Sequence, residues 1–394
     1  MDFYQFIESN RNQDPNALRL SAKRHDHAFD TDFAITQIEA RKKFGTKFPE
    51  FLKCKKFLIP DLISGEQASH QAIATYHSRI STNSTKILDM TAGLGIDSLT
   101  FATRSQVTAV ELNPMKAEIL KKNAEILGRG SLIVLNLDSI EYLKSTDQNF
   151  DLIFVDPSRR DTANKRVYNL RDCSPDVIGH QNLLISKAST VLIKASPLLD
   201  VSQTLKDFHN IKTIRAVGVK GECKELLIEL DKQSDSSESV SFEAVNLDTE
   251  GNIISLFSTN SKDKERLCRF ASLNDVSSPC YILEPSAMVM KFAPWNIISD
   301  KFKAKKFDKS SHLFLAQSLP KDFPGRVTKF KSVIKKQDRK SLEGFPASVV
   351  SKNHPMTSDE IRKSFRLKEG DDNFIYASRI EGKPILLLSE SIAH

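Results

Sequence analysis

Ile87-Leu88-Asp89-Met90-Thr91-Ala92-Gly93-Leu94-Gly95-Ile96-Asp97 reads as a buried strand that turns through a glycine-rich loop into a helix. This is the corner at which doubly wound α/β sheets bind phosphates or nucleosides. Two details narrow the ligand. Ser98 stands where a dinucleotide site carries its third glycine, and Asp97 falls in the first helical turn, where a pyrophosphate would have to sit. An anion is poorly matched to that corner, and a nucleoside carrying positive charge suits it better.

Outward from this stretch, the pattern alternates strand and helix. Strands are expected at Lys86–Met90, Val107–Glu111, Leu132–Leu137, Leu152–Val155, Val191–Lys194, Thr213–Val219 and Glu225–Leu230. The clearest intervening helix opens at Asn113-Pro114, an N-cap followed by proline, and stops before Gly128. Seven strands, the last two joined tightly at Lys220-Gly221, predict a Rossmann-like sheet with a reversed last strand.

Asp89, Glu111, Asp138 and Asp156 fall at the carboxyl ends of four successive expected strands, the edge where open α/β sheets bind ligands. Gly93 and Gly95 let the backbone approach a ligand closely. Glu111 lies 22 residues beyond Asp89, a spacing suited to a carboxylate that grips ribose hydroxyls. Asp89 would serve an ammonium group, Asp138 an adenine amino group, and Asp156 would point toward the reacting centre. S-adenosylmethionine, with an ammonium and a sulfonium, fits this set. The expected cofactor-binding residues are Asp89, Thr91, Ala92, Gly93, Gly95, Asp97, Glu111, Leu112, Asp138 and Asp156. NAD is the competitor, since Glu111 would serve its ribose equally, but Asp97 and Ser98 weigh against it.

After the fourth strand comes Asp156-Pro157-Ser158-Arg159. It is similar to the Asp-Pro-Pro-aromatic motif of methyltransferases that act on exocyclic base amines. There the carboxylate and the proline carbonyl accept hydrogen bonds from the amine and aim its lone pair. Asp156 and Pro157 match; Ser158 and Arg159 depart, although a planar guanidinium can stack on a base or bind phosphate. These four are the expected catalytic residues. Arg160, Lys165, Arg166 and Arg171 crowd the following loop, where they could hold a nucleic-acid backbone or simply be solvated. Lys194-Ala195-Ser196-Pro197 and Gly221-Glu222-Cys223-Lys224-Glu225 could each approach the same pocket. Cys173 and Cys223 lack the setting of a nucleophile, and Trp295, Phe292 and Phe270 read as core.

The flanks differ in character. Residues 1–80 show apolar positions at helical spacing, and Ser64-Gly65-Glu66-Gln67 predicts a capping box opening a helix through about Arg79. Asp231 to Ser239 is a polar linker. Beyond it, Val240–Leu247 and Asn252–Phe257 predict a hairpin, a helix is expected near Pro285–Ser299, and the tail predicts a second hairpin turning at Glu381-Gly382. The net charge of +7 is concentrated, with 17 Lys/Arg against 6 Asp/Glu between Lys301 and Arg366. Such clustering suits a polyanion or a solvated face. Five scattered cysteines without a CxxC pair give no disulfide framework or zinc site, so no metal is expected and a cytoplasmic location is. No apolar run approaches a membrane span, and no membrane partner is expected.

Residues of about 86 to 230 resemble class I S-adenosylmethionine-dependent methyltransferases. The whole layout is similar to a bacterial family that appends ferredoxin-like and THUMP-like domains. Tyr281-Ile282-Leu283-Glu284-Pro285-Ser286-Ala287 and Phe323-Pro324-Gly325-Arg326-Val327 resemble its ferredoxin-like region. Asn353-His354-Pro355-Met356-Thr357-Ser358-Asp359-Glu360-Ile361-Arg362-Lys363 and Leu367-Lys368-Glu369-Gly370-Asp371-Asp372 resemble its THUMP-like tail. The expected domains are a helical region (1–80), a methyltransferase domain (81–232), a ferredoxin-like domain (238–335) and a THUMP-like domain (336–394). True THUMP domains bind structured RNA, so the resemblance implies a methyltransferase acting on RNA, either tRNA or rRNA. Two rivals remain open: a methyltransferase for a small molecule or protein, whose binding would respond little to salt, and a non-catalytic RNA-binding protein, against which the intact acidic set argues. Fold alone does not choose among them.

Overall fold

Short apolar runs flanked by polar turns have one stable arrangement here: each run pairs with its neighbours and is covered by the intervening helices. In the computed structural model, which describes residues 2–22, 28–159, 170–235, 239–263, 267–277 and 279–392, all seven expected strands form. They are β1 (Lys86–Asp89), β2 (Gln106–Val110), β3 (Leu132–Leu135), β4 (Phe150–Val155), β5 (Ala188–Ala195), β6 (Ile211–Val219) and β7 (Glu222–Asp231). Their order is β3-β2-β1-β4-β5-β7-β6, with β7 antiparallel to β5 and β6. The sheet is not limited to seven strands. The hairpin β8 (Ser241–Leu247) and β9 (Ile253–Asn260) continues it beyond β6 to nine. The physical reason is the open edge of β6, whose unpaired backbone groups invite another strand; Lys220 N donates to Leu247 O at 3.1 Å.

The described residues fall into two compact units: those up to 235 together with 246–254, and 239–245 together with those from 255 onward. In the first unit the helices that position the site are α1 (Thr31–Phe44), α2 (Leu62–Gln67), α3 (Gln71–Ile80), α4 (Ile96–Phe101), α5 (Pro114–Ile126) and α6 (Ser139–Ser145). The helix expected from Ser64 to Arg79 is instead two. Asp61 caps α2, and Ser64 serves that cap rather than opening a helix of its own. Ala68 then turns extended (ψ 151°), and His70 caps α3. The N-terminal region is fastened to the sheet layer by buried Asn123 of α5, which exchanges two 2.8 Å hydrogen bonds with the backbone of Leu58.

The second unit holds one seven-stranded sheet made of β10 (Tyr281–Pro285), β11 (Lys305–Lys306), β12 (Phe314–Ala316), β13 (Gly325–Ile334), β14 (Ser348–Ser351), β15 (Asn373–Ile380) and β16 (Lys383–Ser391), in the order β11-β12-β10-β13-β16-β15-β14. The tail hairpin turns at Glu381-Gly382, both at positive φ. The helix expected near Pro285–Ser299 is broken into α7 (Ala287–Met290) and α8 (Trp295–Lys301), because Ala293 adopts φ 48° and Pro294 ends the hydrogen-bonding run. α9 (Ser358–Phe365) opens with the Thr357/Glu360 capping box and buries Ile361 and Phe365 against Ile334, Ile375 and Ala377. Among the described residues no helix is long and apolar enough to cross a membrane.

Candidate active site

The glycine loop is shaped by its backbone. Gly93 (φ 55°) and Gly95 (φ 87°) occupy conformations that L side chains adopt at a cost, and a Cβ on Gly95 would stand 2.1 Å from Leu120 of α5. Neighbouring strands hold the loop: Met90 N donates to Phe154 O (2.9 Å) and Ala92 N to Val110 O (3.0 Å). Glu111, at the end of β2, accepts from Gly93 N and Asn113 N, both at 2.8 Å. Thr91 bridges the two motifs, because its Oγ1 accepts from Asp156 N at 2.7 Å. The end of β4 is therefore tied directly to the turn after β1.

Behind this edge runs a chain of charges. Lys194, on β5, donates to Asp156 Oδ2 at 2.5 Å and to Ser69 Oγ at 3.0 Å. Ser69 in turn donates to Asp97 Oδ2 at 2.5 Å. Asp97 Oδ1 meets His77 Nδ1 at 2.8 Å, and His77 Nε2 meets Glu225 Oε1 at 2.6 Å. His77 is fully buried and Glu225 is 1% exposed. Burial alone would push the imidazole toward neutrality, but the two carboxylates outweigh it and raise its pKa to about 10. Asp97 responds in kind: burial works to raise it, and the hydrogen bond and charge of His77 bring it below the usual range. Lys194 is raised, since the field of Asp156, Glu225 and Asp97 exceeds its desolvation. Among the described residues Asp89 has no cationic partner. Buried at 1% exposure and bonded to Thr91 N and Ser98 Oγ, it is pushed up to about 7, mainly by desolvation and also by Asp97 and Asp156.

The expected residues thus take different places. Asp89, Thr91, Ala92, Gly93, Gly95, Glu111 and Asp156 gather at one sheet edge. Leu112 is 70% exposed and is turned outward there, Asn136 donating to its carbonyl at 2.9 Å. Asp97 is committed to His77 and Ser69. Asp138 uses Oδ1 to cap α6, accepting from Ile140 N and Glu141 N. Pro157 is buried and Ser158 exposed; Ser158 and Arg159 pair with Ser174 and Cys173 in a short antiparallel ladder. The side chain of Arg159 and all of Arg160, Lys165 and Arg166 lie outside the described residues. Arg171 is paired with Asp207 at 2.5 Å. In the second unit, Trp295 stacks on His312 (4.7 Å) and Phe292 on Phe242 (5.1 Å), whereas Phe270 is 48% exposed rather than core. His77 and Ser69 are the residues that sequence reasoning missed. The available signal was Glu225: a carboxylate beside Leu226-Leu227-Ile228 needs a buried partner.

Chemically, this edge offers hydrogen-bond acceptors to a bound nucleoside and one carboxylate, 35% exposed, fixed by a lysine. A second depression, lined by Thr85, Thr103, Arg104 and Ser131, is at the opposite end of the strands and lacks such a set.

Residues 67–212 match the family model described as conserved hypothetical protein 95, residues 281–324 a ferredoxin-like domain, and residues 325–391 a THUMP domain-like model. The chain is 25% identical to a candidate methyltransferase of Porphyromonas gingivalis W83 of known crystal structure, with a TM-score of 0.86 over 99% of this chain and 98% of that one. Ribosomal RNA small subunit methyltransferase J of Francisella tularensis subsp. holarctica (strain FTNF002-00 / FTA) is 39% identical over 82 residues, which is 18% of this chain. The protein of that name from Francisella tularensis subsp. novicida (strain U112) matches to the same extent. The match spans 33% of each relative's length.

Proposed function

From a chain that joins a methyltransferase-type α/β fold to ferredoxin-like and THUMP-like domains, we propose an S-adenosylmethionine-dependent methyltransferase whose acceptor is a base amine in structured RNA. The observation that carries this reading is the junction of Asp156 with the glycine loop through Thr91, which puts a lysine-fixed carboxylate beside a nucleoside-binding turn. The residues present fit the cofactor. Glu111 suits ribose hydroxyls, the Gly93–Gly95 turn admits close approach, and exposed Leu112, Met115 and Leu137 offer apolar surface to an adenine ring. When bound, the cofactor supplies an electrophilic methyl group. The protein's part is to hold and aim the acceptor: Asp156 and the Pro157 carbonyl accept from the amine, and desolvation holds the Asp156 carboxyl above its usual range while Lys194 opposes that rise. Positioning and exclusion of water supply most of the catalysis in such an in-line displacement. The partial match to a ribosomal RNA methyltransferase and the THUMP-like tail support RNA as the acceptor.

Asp156→Ala is the test. Methyl transfer from labelled S-adenosylmethionine to hypomethylated RNA should fall by at least about 100-fold, as expected for loss of a positioning acid–base group. Calorimetric affinity for S-adenosylhomocysteine should stay within about threefold, a difference below ~0.7 kcal/mol. Equal loss of both, or no binding of S-adenosylhomocysteine by the native protein, would overturn the reading.

A further inference from the structure

Three lysines (Lys47, Lys220 and Lys224) and the imidazole of His70 stand around the Asp156 end of the charge chain without belonging to it. Lys47 follows α1. Its Nζ is anchored by Gly65 O (3.0 Å) and Glu66 O (2.6 Å), and its carbonyl accepts from Gln71 N (2.9 Å) at the start of α3. His70 is the N-cap of α3 and neighbours Ser69, which holds Lys194. From the other side comes the β6–β7 turn with Lys220 and Lys224. That turn is itself fixed: Lys220 N bonds Leu247 O, Gly221 N bonds Asn246 Oδ1 (2.9 Å), and Glu225, next to Lys224, is locked to His77 of α3.

We propose that Lys47, His70, Lys220 and Lys224 form a phosphate-binding subsite beside Asp156, taking a backbone phosphate that flanks the nucleotide presented for methylation. The proposal rests on the RNA reading above and adds where the backbone is gripped. These groups are close enough for each lysine to disfavour charge on its neighbours. Lys47 is lowered to about 8 by burial and then by Lys194 and Lys224, and His70 is lowered by burial and then by Lys224, Lys47 and Lys220. Local acids relieve this only in part: Glu66 and Asp156 act to raise Lys47, yet it stays lowered. Glu66 is drawn to Lys43, and Glu222, paired with Lys224 at 2.6 Å, is 72% exposed. A bound anion would relieve the repulsion. A phosphodiester, with several acceptor oxygens and a single charge, suits point-charge lysines approaching from two sides. The carboxylate of the cofactor shares that chemistry, and the experiment separates the two.

The variant Lys220→Gln/Lys224→Gln changes exposed side chains only, and equal melting temperatures would confirm folding. Binding of a fluorescein-labelled 16-nucleotide single-stranded RNA is followed by anisotropy from 50 to 300 mM KCl, with calorimetric titration of S-adenosylhomocysteine alongside. The expected result is at least a fivefold loss of RNA affinity at 100 mM KCl, a log–log salt slope shallower by about 0.7 per lost contact, and unchanged S-adenosylhomocysteine affinity. Unchanged RNA affinity and slope would overturn the subsite while leaving the RNA reading intact. A parallel loss of S-adenosylhomocysteine affinity would assign the cations to the cofactor carboxylate. Native protein that binds S-adenosylhomocysteine but no RNA would overturn the RNA reading itself and the subsite with it.

Discussion

Glu225 is 1% exposed and is followed by Leu226, Leu227 and Ile228, yet it sits at 2.6 Å from an imidazole that is buried completely. Removing one member of such a buried set leaves the others uncompensated. His77→Leu should therefore cost about 3–5 kcal/mol in denaturant unfolding, since Asp97 and Glu225 would lose their shared cation. Native His77 has its pKa raised to about 10 from an ordinary 6.5, so its contribution is complete below 6.5 and is lost as pH rises toward 10. Melting temperatures should accordingly fall between pH 7 and 10, and a flat profile would contradict the charged assignment. Asp89 behaves in the opposite sense toward ligand. Raised to about 7, it is mostly neutral at pH 6 and would offer little charge to the ammonium of the proposed cofactor. Affinity for S-adenosylmethionine should rise by up to about tenfold from pH 6 to 8, read by calorimetry. These linkages were only half legible in the sequence. Asp89, Glu111 and Asp156 announce themselves by standing at strand ends, whereas His77 looks like one more inward position on an amphipathic helix and acquires its meaning only when Glu225 arrives from 148 residues away.

At the scale of elements, the strands were legible because β-branched and aliphatic runs are short and separated by turn residues, and every one of the seven is present. Helices with weak boundaries were not. Ser64 and Gln67 have the spacing of a capping box, but Asp61 upstream supplies a better cap, and an extended link at Ala68 separates this helix from the next, which His70 caps. The widening of the sheet from seven strands to nine was hidden for another reason: pairing of β8 with β6 is a long-range choice that a local hairpin pattern does not reveal. The turn between β1 and α4 makes a sharper prediction. Gly95→Ala would combine a left-handed backbone with a contact to Leu120, and should destabilise the protein by about 2 kcal/mol or more while weakening cofactor binding. A denaturant midpoint unchanged within error would show that the loop has room the packing does not suggest.

On the scale of the whole molecule, the position of β13 matters most. It is the middle strand of the second sheet, antiparallel to β10 on one side and to β16 on the other. The ferredoxin-like match stops at residue 324 and the THUMP-like match begins at 325, so the seam between two recognisable halves runs along the strand that both require. A protein truncated after Pro324 should lose solubility on expression, judged by the fraction recovered after centrifugation, because β10 would present a bare hydrogen-bonding edge to other copies. The same feature bears on inheritance. A gene could gain or shed either half by recombination at that seam only if a replacement strand came with it, so the two halves are expected to travel through evolution as a single heritable cassette.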